Sequence, residues 1–170
     1  MVNRKWMVAS LASVALVSVI AAGRAFAEGP GEGVDFTGTY YASLPERAEI
    51  LHLNAGGTAG ITLSDQVTSG AGGFTFSDSM GSWRVTGPRH VKARFMNLNF
   101  DLTGVAPAYT GFAVVDYELE FAQDKKSFQG SCQGKIYATG QDPFAPGATP
   151  LVEFDCAYLD GFPYRKLPTP

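Results

Sequence analysis

The chain has 170 residues, a formal net charge of −3, 45% hydrophobic and 12% aromatic content, and only 17% charged residues. The acidic balance excludes nucleic acid and anionic membrane surfaces as electrostatic partners. Twenty glycines, frequent β-branched and aromatic residues and no helical stripe beyond the first residues point to an all-β chain.

In chain order, the first segment is an export signal. Arg4 and Lys5 form a basic start, residues 8–22 are apolar or small, and Ala25-Phe26-Ala27 is a small-x-small cleavage site. This predicts residues 1–27 as a cleaved signal peptide and a periplasmic or secreted mature chain starting at Glu28. No cysteine near the cut could carry a lipid anchor, so no membrane partner is expected after cleavage. The mature charge is more acidic, ten basic residues facing sixteen acidic ones. Its 143 residues make one domain able to bury roughly two thirds of its unfolded surface.

Residues 28–35 read as a flexible lead-in, rich in glycine and glutamate. A barrel domain is expected over 36–158. Its first strand covers 36–42 and turns at Leu44-Pro45-Glu46-Arg47. Residues 50–53 and 61–63 flank a glycine hairpin, Asn54-Ala55-Gly56-Gly57-Thr58. The expected register sets Leu51 opposite Leu63 and Leu53 opposite Ile61. Residues 64–80 read as a long loop, with Phe74-Thr75-Phe76 a short strand or flap; loops of that length are often functional.

Residues 81–85 pair with 91–95 across Gly87-Pro88-Arg89, setting Val85 against Val91 and Trp83 against Ala93. Residues 113–121 then alternate strictly. Val115, Tyr117, Leu119 and Phe121 take one face, and Asp116, Glu118 and Glu120 the other, the mark of a strand with one face buried. Setting Phe95 opposite Val115 also brings His90, Lys92 and Arg94 against Glu120, Glu118 and Asp116. Such opposite-charge cross-strand pairs contribute roughly 0.2–1 kcal/mol each, and a one-residue slip would break both faces together. The next hairpin sets Phe121 against Phe128, Leu119 against Gly130 and Tyr117 against Cys132. The last strand, 152–158, aligns Cys132 with Cys156, Gly134 with Phe154 and Gly130 with Tyr158. A Cys132–Cys156 disulfide therefore follows from register, and closing its loop should stabilise by about 3.5 kcal/mol in the chain-entropy model. Residues 159–170 read as a Pro-rich tail. Eight antiparallel strands in sequential order predict a single up-and-down β-barrel, with an open sandwich as the alternative.

An exported eight-strand meander with Gly38-Thr39-Tyr40 on its first strand, where lipocalins carry Gly-x-Trp, resembles the lipocalin-like barrels of the calycin superfamily. It is also similar to allene-oxide-cyclase-like and dirigent-like barrels. The resemblance implies a small hydrophobic molecule bound in the cup, or a cyclisation guided there without a cofactor.

The expected interior holds no carboxylate, histidine, lysine or arginine, which argues against general acid–base catalysis. No catalytic residue, metal ligand set or cofactor is predicted. The acidic ladder faces solvent, and His52 and His90 lie on the surface without a second ligand at metal spacing. Asn97 and Asn99 share the inward parity of Phe95. Either a bulge after Phe95 flips the phase, which is the plainer reading, or two amides point into the barrel mouth. In the second case Met96, Leu98 and Phe100 form an external apolar strip suited to a homodimer. The candidate ligand-binding set is Tyr40, Trp83, Phe95, Asn97, Asn99, Tyr117 and Tyr158, with Trp83 serving either as barrel floor or as a stacking surface. Gly130 and Gly134 either let rings pack closely or leave cavity volume. Three functions remain: a carrier of a small hydrophobic or aromatic ligand, a cofactor-free cyclase or isomerase, and a filled barrel whose outside binds a protein.

Overall fold

A computed structural model describes residues 35–66, 73–159 and 161–168; the expected signal peptide, most of the lead-in and the side chain of Tyr158 lie outside the described residues. Ten strands are described: β1 (Gly38–Ser43), β2 (Ala48–Leu53), β3 (Thr58–Leu63), β4 (Phe74–Phe76), β5 (Ser79–Gly87), β6 (His90–Asp101), β7 (Ala108–Phe121), β8 (Ser127–Ala138), β9 (Val152–Asp155) and β10 (Tyr164–Lys166). Eight of them, β1, β2, β3, β5, β6, β7, β8 and β10, pair antiparallel in that order, and β10 returns to β1 to close a barrel. β4 and β9 lie outside the ring, on β6 and β8.

The centre of the sheet has the expected register. Val85 faces Val91 and Trp83 faces Ala93; Phe95 faces Val115 and Arg94 faces Asp116; Tyr117 faces Cys132 and Phe121 faces Phe128. Outside, Lys92 reaches Glu118 at 2.6 Å and Arg94 grips Asp116 through Nε at 2.6 Å and Nη2 at 2.9 Å. His90 does lie opposite Glu120, but the longer Arg89 takes that carboxylate, at 2.6 Å.

Two expectations need correction. The β2–β3 hairpin is tighter than expected, pairing Leu53 with Ala59 and Leu51 with Ile61. Gly56 and Gly57 both take left-handed φ angles, +85° and +83°, and the Asn54 amide donates to the Thr58 carbonyl at 2.9 Å. The offset is an even number of residues, so the inward parity survives, and Glu49, which shares it, lies in the interior opposite Leu63.

The ring also closes differently from the expectation. β9 keeps the predicted register, Gln133 with Asp155 and Gly134 with Phe154, but ends at Asp155. The chain leaves through a 3-10 turn at Ala157–Leu159, and Tyr164–Lys166, inside the expected tail, closes the ring instead. Only Tyr164 of these three is buried, so the strand is too short and too polar to show a period. It pairs with Phe128 on one side, while Lys166 pairs with Tyr40 on the other. The Cys132–Cys156 disulfide, with Cα atoms 5.2 Å apart, sits where β9 ends and the chain leaves β8.

One end of the barrel is filled by rings. Phe121 lies 4.7 Å from Phe36 and 4.8 Å from Phe128, and Phe128 stacks on Tyr164 at 4.5 Å between centroids. Tyr40 meets Phe121 and Phe128 edge-on, at 5.5 and 5.1 Å, and its hydroxyl donates to the Phe36 carbonyl at 2.9 Å. Each such ring pair contributes about 0.5–1.5 kcal/mol beyond area burial.

Burial, and secondarily the charge of Asp35, pushes the Tyr40 hydroxyl up to about 12. The folded chain thus holds a proton that the unfolded chain releases near pH 10. The stability from this difference is complete below pH 10 and is lost as pH rises through about 12. Urea midpoints measured from pH 8 to 11 should fall more gently in Tyr40→Phe than in the parent; equal slopes would assign the alkaline loss to other groups.

Candidate functional site

The opposite end of the barrel holds a cavity of about 290 Å³. Phe95, Ala113, Val115 and Ile136 supply its apolar wall, and β4 adds Phe74 and Phe76 as a lip. Phe154 enters from β9 because the facing residue is glycine; a Cβ at Gly134 would lie within the Phe154 ring. That glycine therefore serves close ring packing. A more open depression of about 580 Å³ lies on the outside of β6–β8, but its walls include the charged ladder residues Lys92, Glu118 and Glu120.

Asn97 and Asn99 line the cavity. β6 and β7 stay in one register from His90 to Asn99, so no bulge intervenes after Phe95 and the plainer expectation fails. The irregularity falls further along, between Asn99 and Phe100, where β7 carries an extra residue, Thr110, beside Gly111. Gly111 has φ +145°, and a side chain there would collide with the Tyr137 carbonyl. Placing the bulge beyond Asn99 keeps both amides inside.

The two amides are nearly dry, Asn97 9% and Asn99 2% exposed. Asn97 Nδ2 donates to Ser79 Oγ at 3.4 Å, a long bond. Asn97 Oδ1 and Asn99 Nδ2 have no hydrogen-bond partner among the described residues. Leaving a buried polar atom unmatched costs about 1–3 kcal/mol.

Of the remaining sequence-predicted ligand residues, Phe95 and Tyr117 line the same cavity. Their rings meet edge-on at 5.4 Å. Tyr40 and Trp83 do not line it. Tyr40 belongs to the packed end, and the buried Trp83 donates from Nε1 to the Asn54 carbonyl at 2.9 Å, stapling the β2–β3 turn.

The expectation of an interior without ionisable groups is overturned by Glu49, which is fully buried. Tyr164 of the closing strand donates its hydroxyl to Glu49 Oε2. Arg47 Nη1 lies 3.7 Å from Glu49 Oε1, and the same guanidinium pairs with Asp65. Arg47 and Asp65 line the cavity mouth, while Glu49 is not among the lining residues. Extending the alternation of Leu53 and Leu51 back by two positions would have found Glu49. Arg47 and Asp65 carry no such signal, because both stand in turns.

The external strip is partly covered. Met96 packs with Phe112, Val114, Tyr137 and Ala148 in a second cluster outside the barrel, whereas Leu98 stays 44% exposed. Among the described residues no group of three His, Cys, Asp or Glu side chains is placed to hold a metal ion.

No family model, curated protein or solved structure matches this chain.

Two substitutions test the chemistry of this end. Asn99→Leu removes an unmatched donor while keeping the branched outline of the side chain and should raise the urea midpoint, by about 1–2 kcal/mol of stability; a loss of stability would mean that the amide is satisfied in solution. Tyr164→Phe should cost about 1–3 kcal/mol by taking a donor from buried Glu49. Glu49→Gln, which keeps an acceptor, should cost less than Glu49→Ala in the same urea series.

Proposed function

We propose that this protein is an exported, lipocalin-like barrel that binds a small, mainly apolar molecule inside. The observation that carries the reading is the division of the interior. Aromatic rings fill one end, while an eight-stranded ring, otherwise just wide enough for its own side chains, keeps about 290 Å³ open at the other. Taking a liquid water as roughly 30 Å³, that volume suits a molecule of about ten heavy atoms. Phe95, Asn97, Asn99 and Tyr117 are the binding residues retained from the candidate set. Export is supported by the basic, apolar and small-residue leader and by the disulfide, which persists in oxidising compartments. Leu98 and Met80, both exposed on the outside, would serve a homodimer.

The cyclase reading is less well supported. A cofactor-free enzyme of this kind would place a titrating group against its substrate, yet Glu49 accepts from Tyr164 and lies outside the cavity lining, and Asp65, which does line it, is paired with Arg47. The protein-interaction reading requires a filled interior, which the cavity opposes.

Native mass spectrometry of the gently purified, disulfide-bonded chain should show a bound small molecule. Ala113→Phe, which adds a ring to the cavity wall, should return the bare mass while keeping the fold. A parent protein that is bare under the same conditions, and whose spectrum matches that of Ala113→Phe, would sink the proposal.

A further inference from the structure

We infer that the cavity selects uncharged molecules with an amide-like head, one that donates and accepts hydrogen bonds side by side. The inference rests on the binding function proposed above and specifies its ligand class.

Asn97 Oδ1 offers an acceptor and Asn99 Nδ2 a donor, both buried and both on residues lining the cavity. The two residues are two positions apart on one strand face, which spaces their Cβ atoms by about 7 Å. Turning either amide over exchanges its oxygen and nitrogen but leaves it with an unmet group, because Ser79 is the one side chain bonded to Asn97 among the described residues and it can serve only one side. A ligand able both to give and to take a hydrogen bond satisfies the pair in either arrangement. An aliphatic or purely aromatic ligand would leave both atoms dry and unpaired.

Charge decides between heads of similar size. Arg47 is the one cation among the described lining residues, and it is already engaged by Asp65 and lies beside Glu49. An anionic head therefore meets a guanidinium already occupied by carboxylates. It would also lose its hydration against neutral amides, which is costly for an ion. A cationic head would have to compete with Arg47 for the same carboxylates and, having donors only, could not match an amide nitrogen turned toward it. The apolar wall of Phe95, Val115 and Ile136 suits a hydrocarbon or aromatic body.

The test uses four phenyl compounds of nearly equal size, benzamide, benzoate, benzylammonium and toluene, titrated by NMR into the full, disulfide-bonded chain. Benzamide should bind about tenfold or more tightly than each of the others, the discrimination expected when buried polar groups go unpaired. Asn99→Leu should weaken benzamide about tenfold and leave toluene unchanged or improved. A preference for benzoate or benzylammonium overturns the inference. So does equal binding of benzamide and toluene, which leaves the cavity-binding function standing. If none of the four binds and dissolved xenon shifts no resonance of the cavity wall, the binding function itself falls together with this inference. The comparison among the four compounds needs only the unsubstituted protein, so it decides the matter even if Asn99→Leu fails to fold.

Discussion

The phase of β6 against β7 is the constraint on which the site depends. Side chains in a strand alternate between faces, so one unbroken register from His90 to Asn99 settles the direction of every side chain between them. The outer face is held by Lys92–Glu118 and Arg94–Asp116, and the inner face by Val91, Ala93 and Phe95 against Leu119, Tyr117 and Val115. A slip would turn charges inward and hydrocarbon outward together. Asn97 and Asn99 are thus held inside the barrel by the pairing of their neighbours, although their own chemistry would favour water.

Burying two incompletely bonded amides costs stability, and the aromatic end offsets it. Phe36, Tyr40, Phe121, Phe128 and Tyr164 interlock there, all fully or almost fully buried, while the other end remains open. Tyr164 links the two ends. Its ring stacks on Phe128, and its hydroxyl reaches Glu49, beside the Arg47–Asp65 pair at the mouth. The polar groups near the opening are held by the same residue that completes the ring.

Much of this could be read from the residues. The alternation of residues 113–121 and the complementary charges on 90–94 were sufficient to align four strands and to bring Cys132 to Cys156. What escaped was local. A three-residue strand such as Tyr164–Lys166 has no period to detect. Glu49 shares the inward parity of Leu51 and Leu53 but stands as a lone carboxylate ahead of the apolar part of β2. The amides at 97 and 99 were visible as an inward continuation, but alternation alone cannot locate a bulge; the residue that does so, Gly111, lies on the partner strand.

The shortness of β10 bears on how the molecule is assembled in time. One partner, β8, lies in the same third of the chain, but the other, β1, comes from the far end of the described residues, so the ring closes only when Arg165 reaches both Tyr41 and Ser127. Bringing such distant segments together carries a loop entropy that nearby hairpins avoid. A nascent chain would therefore form its central hairpins early and remain an open, curled sheet with two unsatisfied edges until its last strand arrives. That interval, more than the finished barrel, is when the protein is vulnerable to pairing with another copy of itself.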